Sequence, residues 1–271
     1  MATLRYLASA SLQSTVADSL GISQSSVSRA VDEVCSALVA EMEQFIKLSN
    51  DIEEEKRRFF SIAGFPGVVG VVDGSHVRIM EPKKNPNSYI NRKYYPSINV
   101  CAVCDSQCKF TYVSIRWPGS CHDSFIFRQT DLWEKYESAE RGGIILGDSG
   151  YACRKWLMTP YPQGLLQTQQ SEAFNKALSR TRVKIECAFG RLKRRFLILH
   201  NELRVTPEKA TVIIGACMVL HNIAIDLQMP DIGEEPFVDD EVPSIPSNET
   251  SSSNGFAMRD HIANTYFSRS S

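Results

Sequence analysis

The chain of 271 residues is 43% hydrophobic with a formal net charge of -1, enough apolar material for one large domain and a smaller one. It has no uninterrupted run of about 18 apolar residues, and its first residues lack a basic stretch followed by an apolar segment and cleavage site, so neither a membrane partner nor a secretory signal is expected. Eight cysteines (Cys35, Cys101, Cys104, Cys108, Cys121, Cys153, Cys187, Cys217) are scattered rather than densely spaced, which argues against a small disulfide scaffold and predicts free thiols in a soluble intracellular protein.

The first 50 residues read as helical, with Leu4, Leu7, Val16, Leu20, Val27, Val31, Val34 and Leu38 at helical spacing. Within them, "LQSTVADSLGISQSSVSRAVDEV" has Ala17, Gly21 and Val27 at the small, turn and apolar positions that let two helices cross, with Ser23 as an N-cap. This predicts a helix-turn-helix whose second helix offers Gln24, Ser25, Ser26, Ser28 and Arg29 outward; a generic helical hairpin is the alternative. A charged linker over residues 51–66 ends in a Gly-Phe-Pro-Gly turn. The second domain is predicted over 67–228. In "GVVGVVDGSHVRI" an apolar run suited to a central strand carries Asp73 near its end. "SINVCAVCD" and "KFTYVSIRWPG" read as hairpin partners around a turn at residues 105–107. Cys101-x-x-Cys104-x-x-x-Cys108 looks like a zinc pattern, but an odd separation on one strand sends Cys101 and Cys104 to opposite faces, which favours ordinary buried cysteines. "SCHDSFIFRQTDLWEKYE" reads as one amphipathic helix with Phe125, Leu132 and Trp133 among its apolar positions, and "GGIILGDSGYA" as a short strand ending at Asp148. A long helix over 171–196 buries Ile185, Phe189, Leu192 and Phe196, and a largely apolar helix covers 206–227. Residues 229–271 read as an acidic, mostly mobile tail with a short helix at "AMRDHIANTYF".

The near-zero net charge conceals an asymmetry. Residues 180–195 hold seven basic side chains and one acid, Glu186, whereas residues 229–249 hold seven acids and no Lys or Arg. Three strands, a helix, a fourth strand and further helices is the order of an α/β, ribonuclease H-like core, in which the carboxyl ends of parallel neighbours converge. Asp73 and Asp148 sit at two such ends, and the helix bearing Glu186 can pack across them. Three converging carboxylates need a cation, and oxygen-only ligands favour Mg²⁺ or Mn²⁺; two such ions can activate a water or a 3′-hydroxyl at a phosphodiester. Each acid also has a plainer role open to it: Asp73 and Asp148 as turn residues, Glu186 as an i, i+4 partner of Arg182. Arg182, Glu186, Gly190 and Lys193 share one helical face suited to a phosphate backbone. His122 precedes Asp123, which is either an outer acid of the site or, with Ser120, part of a helix cap; His76 could reach a phosphate, hold Asp73, or be structural.

The phrases "GVVDGSHVRI", "RKYYPSINV", "PGSCHDSFIFR", "LGDSGYACRKWLMTP", "RTRVKIECAFGRLKRRF" and "VLHNIAID" occur in an order that resembles the Harbinger-type DDE transposases and the nucleases derived from them, over about residues 1–228. The resemblance implies Asp73, Asp148 and Glu186 as catalytic metal ligands; its "HDS" phrase leaves Asp123 open as a further one, with His76 and His122 as candidate supporting residues. It also implies a divalent-metal-dependent nuclease of nuclear and cytoplasmic location that acts on DNA, with a Myb/SANT-like DNA-binding partner protein; Arg29, Arg182, Lys193 and Arg194 are, by charge and placement, the candidate DNA contacts. The helix-turn-helix is expected to be shortened relative to the family, and a non-enzymatic DNA- or protein-binding module of the same fold is the alternative.

Overall fold

The computed structural model describes residues 1–165, 168–230 and 251–268. Three helices open it: α1 (Ala2–Ser9), α2 (Gln13–Leu20) and α3 (Gln24–Ala40). Gly21 closes α2 in a left-handed conformation, φ 65°, and the Ser23 side chain accepts a hydrogen bond from the Ser26 amide to start α3. Val16, Ala17, Val27 and Val31 lie in the crossing, and α3 packs on the late helix α10 (Pro207–Asp226), so these helices share one continuous core with the sheet.

After the short α4 (Met42–Phe45), the stretch expected as a linker is itself a helix, α5 (Ile52–Ala63), capped by Asp51 and closed by Gly64 at φ 71°. Phe59 of α5 is fully buried against β1 and α9. Its inward stripe is disguised because a charged residue, Glu55, occupies one of the buried positions. There the Glu55 carboxylate accepts from the Ser106 amide at 2.8 Å.

The remaining elements run β1 (Val68–Arg78), α6 (Pro86–Tyr89), β2 (Ser97–Cys104), β3 (Phe110–Pro118), α7 (Asp123–Arg128), α8 (Asp131–Glu137), β4 (Ile144–Leu146), β5 (Leu157–Met158), α9 (Gln169–Arg195), α10 (Pro207–Asp226) and α11 (Ser253–Tyr266). The sheet order is β3-β2-β1-β4-β5; β2 is antiparallel to β1 and β3, while β1, β4 and β5 are mutually parallel neighbours. This is the ribonuclease H-like α/β arrangement. Alternation along the strands feeds two apolar layers. Val71, Val77, Ile98, Val100, Ala102 and Cys104 face the layer of α5, α9 and α10, whereas Val72, Cys101 and Val103 face the layer of α7, α8, Tyr151 and Trp156. Cys101 and Cys104 thus point to opposite sides, and all eight cysteines are free thiols.

The single helix expected over 120–137 is two, broken at Gln129–Thr130, where Thr130 caps α8 by accepting from the Trp133 amide. The break turns Phe125 outward, 45% exposed, while Leu132 and Trp133 are buried. Helix α9 buries the expected stripe of Ile185, Phe189 and Leu192, with Phe196 following as its C-cap. Helix α10 is long and apolar enough to cross a bilayer, yet 61% of its apolar window is buried in the fold. Its Asn222 is a hub: Nδ2 donates to the carbonyls of Phe45 and Phe110, and Oδ1 accepts from the Phe110 amide. The expected mobile stretch at 231–250 lies outside the described residues, but α11 beyond it packs on α9 and β5, burying Ile262 and Ala263.

Candidate active site

The sheet register brings Asp73 and Asp148 together. Val71 of β1 pairs with Leu146 of β4 in parallel, so each aspartate stands two residues beyond the last paired position of neighbouring strands. Strand β1 continues past Asp73 to Arg78, paired there with β2 alone, so Asp73 lies mid-strand rather than near a terminus. Asp73 shares its parity with Val71 and Val77 and so faces α9. From that helix Arg182 Nη2 donates to Asp73 Oδ2 at 2.8 Å, in an ion pair whose side chains are 15% and 14% exposed. Asp73 Oδ1 accepts from the Gly74 amide, and Asp148 Oδ1 from the Gly150 amide, both at 2.8 Å.

Asp123 approaches from the other side. Its Oδ1 accepts from Nδ2 of the buried Asn99 at 2.7 Å, and Asn99 Nδ2 also donates to the Cys121 carbonyl at 2.9 Å. The capping role considered for Asp123 with Ser120 is not what the chain adopts: α7 is capped at His122 with no side-chain bond. Gly74 is what admits the Asp123 carboxylate, since a Cβ at Gly74 would lie 2.7 Å from Asp123 Oδ2 and closer still to Oδ1 and Cγ.

Burial drives the electrostatics. Desolvation raises the Asp73 carboxyl to about 8, against the opposing pull of Arg182, with Asp148 and Asp123 adding to the rise. Asp123 is raised to about 6, again by burial first, with Asn99 opposing and Asp148 reinforcing. Burial works against the Arg182 charge, but Asp73, Asp148 and Glu186 more than offset it. Tyr151 is buried beside the same three aspartates, and desolvation lifts its phenol well above the usual range.

A cleft of about 560 Å³ opens over these groups, lined by Asp73, Asp123, Asp148 and Arg182, by His76 and His122, and by Arg92 and Lys93. His76 Nδ1 is 3.0 Å from the Ser97 hydroxyl, and the His122 ring is hydrogen-bonded to Arg92. The other expected site residues fall elsewhere. Glu186 is one turn beyond Arg182 on α9 and near enough to support its charge, but it does not line the cleft; the third lining carboxylate is Asp123. Lys193, expected at a DNA backbone, is buried at 4% exposure near the C-terminal end of α9. Arg194 is half-buried further along α9, and Arg29 is exposed on α3 outside the cleft. Asn99 and Tyr151 were not anticipated. The signal for Asn99 was a lone amide inside the apolar strand "SINVCAVC".

The donor set suits a hard divalent cation: three carboxylates, two of them held toward neutrality by burial and mutual repulsion that a cation would relieve. Among the described residues no three His, Cys, Asp or Glu side chains stand close enough together to hold a metal ion, these aspartates included. Arg182 supplies the positive charge nearest Asp73.

A DDE superfamily endonuclease family matches residues 72–222, which spans β1 to α10 and includes every aspartate of the cleft. The chain is 39% identical over 243 residues to "Putative nuclease HARBI1" of Homo sapiens, covering 87% of this chain and 69% of that protein. It is 34% identical over 241 residues to the protein of the same name in Xenopus laevis, covering 86% and 69%. "Protein ALP1-like" of Arabidopsis thaliana is 28% identical over 254 residues, covering 86% and 61%. No solved structure matches. With more than half its length matched by the family and relatives aligned along most of it, the chain belongs to the DDE superfamily endonucleases, in the group derived from Harbinger transposases.

Proposed function

We propose that this protein is a divalent-metal-dependent nuclease that hydrolyses DNA phosphodiester bonds. One observation carries the reading: two aspartates at register-equivalent positions of neighbouring parallel strands share a solvent-open cleft with a third, although they are distant in sequence. A fold has no stability reason to gather three carboxylates where burial opposes their charge. Asp73 and Asp148 would hold Mg²⁺ or Mn²⁺, with Asp123 completing the set and Glu186 able to join it from α9. The bound ions would polarise the attacking water and steady the leaving 3′-oxygen.

The chain's own residues do the remaining work. Arg92 and Lys93 line the same cleft as the carboxylates and would hold the phosphates flanking the scissile bond, fixing the in-line approach of water. Asn99 keeps the Asp123 carboxylate turned into the cleft. Gly74 leaves the space that carboxylate occupies. Arg182 holds Asp73 in place by its ion pair. The same reading includes nuclear and cytoplasmic location and delivery to the target by a Myb/SANT-like protein, with Arg29 on the exposed face of α3 as a DNA contact.

A second reading, a DNA- or protein-binding module without turnover, is favoured by one feature: Arg182 already pairs with Asp73 without any metal ion. Cleavage of plasmid DNA by the purified protein, with and without Mg²⁺ or Mn²⁺ and beside Asp73→Asn, separates the two. Metal-dependent nicking that Asp73→Asn abolishes supports the nuclease; binding without nicking under any metal supports the module.

A further inference from the structure

Between α6 and β2 the chain makes a tight loop, residues 90–96, closed by a bridge between Ile90 and Pro96. Its tip, Tyr94, has φ 61°, a left-handed conformation that a bulky aromatic side chain rarely adopts, and is 89% exposed. A ring held in water in a strained backbone adds nothing to folding, so the surroundings must impose the conformation. They do so through Asn91, which is 5% exposed. Asn91 Oδ1 accepts from the amides of Lys93 at 2.9 Å and Tyr95 at 3.4 Å, and its Nδ2 donates to the Ser97 hydroxyl at 3.1 Å. Its own amide donates to the Tyr95 carbonyl at 3.1 Å, and its carbonyl accepts from the Tyr94 amide at 3.0 Å. The Ser97 hydroxyl is also 3.0 Å from His76, so the hub is anchored in the wall of the cleft. The residues on either side of Tyr94 line that cleft: Arg92 and Lys93 before it, Tyr95 after it.

We infer that this loop is a nucleotide-holding arm, in which Tyr94 stacks on an unpaired base of the DNA strand whose phosphates Arg92 and Lys93 bind. The inference rests on the nuclease reading and names its substrate more closely: DNA with an unstacked or single-stranded nucleotide beside the scissile phosphate. The physical case is the combination on one short loop, whose Arg92, Lys93 and Tyr95 line the cleft while Tyr94 stands out beyond it. Cations on the cleft wall suit a backbone, an exposed flat ring suits any base face, and a rigid loop removes the entropy cost of presenting it. A buried asparagine devoted to five hydrogen bonds in a surface loop explains the rigidity, and base stacking explains the exposed ring.

The test is anisotropy of a fluorescein-labelled DNA with a single-stranded overhang, and of a fully paired duplex, titrated with the parent, Tyr94→Ala and Tyr94→Phe. Thermal melting of each variant accompanies it, together with quenching of a fluorescent adenine analogue in the overhang. Tyr94→Ala should bind the overhang substrate roughly 5- to 150-fold more weakly, the loss of one stacked base. It should change duplex binding far less, abolish the quenching and melt no lower than the parent. Tyr94→Phe should behave as the parent. Equal overhang affinity for parent and Tyr94→Ala, or a loss that Tyr94→Phe shares, overturns the arm while leaving the nuclease reading intact. A parent that binds neither DNA overturns both.

Discussion

Gly74→Ala isolates the contact on which the third carboxylate depends. The added methyl would lie 2.7 Å from Asp123 Oδ2 and nearer to the rest of that carboxylate, against roughly 3.4 Å for an ordinary contact, so a shift of about 1 Å is required. Backbone conformation does not oppose the substitution, because Gly74 sits in extended strand; the cost comes from the collision. Asp123 cannot yield freely, since Asn99 holds it at 2.7 Å and a displaced carboxylate leaves a buried amide with one partner fewer. Overpacking of this kind costs about 1–3 kcal/mol, which for a chain of this size lowers Tm by roughly 2–10 °C. A displacement of about 1 Å in the site would reduce cleavage on the order of a hundredfold. The assay is a double-mutant cycle of Gly74→Ala and Asp123→Ala by chemical denaturation, with cleavage measured alongside. With the Asp123 side chain shortened, the methyl has room and Gly74→Ala should cost less than about 0.5 kcal/mol. An unchanged cost in the Asp123→Ala background, or a Gly74→Ala protein as stable and active as the parent, would refute the reasoning.

Two further predictions concern stability away from the chemistry. Burial raises the Asp105 carboxyl to about 6, with the Lys109 amide opposing and Glu55 adding to the rise, so the folded state holds its proton more tightly than the unfolded chain. That contribution is fully present below about pH 4 and is lost as pH rises through about 6; Asp105→Asn, whose Oδ1 can still accept from Gln107 and Lys109, should therefore exceed the parent by about 1–3 kcal/mol at pH 7 and match it near pH 4 in urea melts. A constant difference between the two pH values would contradict the assignment. Asn222→Leu strands the Phe45 carbonyl and both backbone groups of Phe110 in the core and should cost more than about 3 kcal/mol without altering the affinity of the refolded protein for Mg²⁺; a melt within about 1 kcal/mol of the parent would remove the hub from the account.

Much of the frame of the candidate site could be read from residue order because it depends on local signals. An apolar run that stops at Asp-Gly or Asp-Ser marks where a buried strand stops pairing with its parallel neighbour, and register sets Asp73 and Asp148 side by side there even though β1 runs on to Arg78. The stripe of Ile185, Phe189 and Leu192 fixed the face of α9 in the same way, and the odd spacing of Cys101 and Cys104 their opposite orientation. What was hidden depends on partners far along the chain. Helix α5 passed for a linker because Glu55 fills a core position, which is tolerable only once the Ser106 amide meets it. The direction of Asp123 could not be read from "SCHDS", since its spacing from Ser120 fits a helix cap equally well. Asn99, across on β2, and the missing Cβ of Gly74 decide it. Lys193 looked like one more exposed cation, but it lies nearly in line with Arg182 on a face of α9 that turns into the protein; of the two, Arg182 sits level with the aspartates and pairs with Asp73.

The central claim is that the aspartates serve as charge for a metal ion. Thermal melting of the parent and Asp148→Asn, each with and without Mg²⁺ or Mn²⁺ and beside a DNA cleavage assay, tests it most directly. The asparagine keeps the acceptor for the Gly150 amide and removes one of the charges that raise Asp73, so without metal the variant should be as stable as the parent or more so. The parent should gain roughly 5–10 °C at a hundredfold excess of metal over Kd and cut DNA, while the variant gains little and cuts at background. A parent that neither gains stability with either ion nor cleaves DNA, or an Asp148→Asn variant that does both as well as the parent, would contradict the claim.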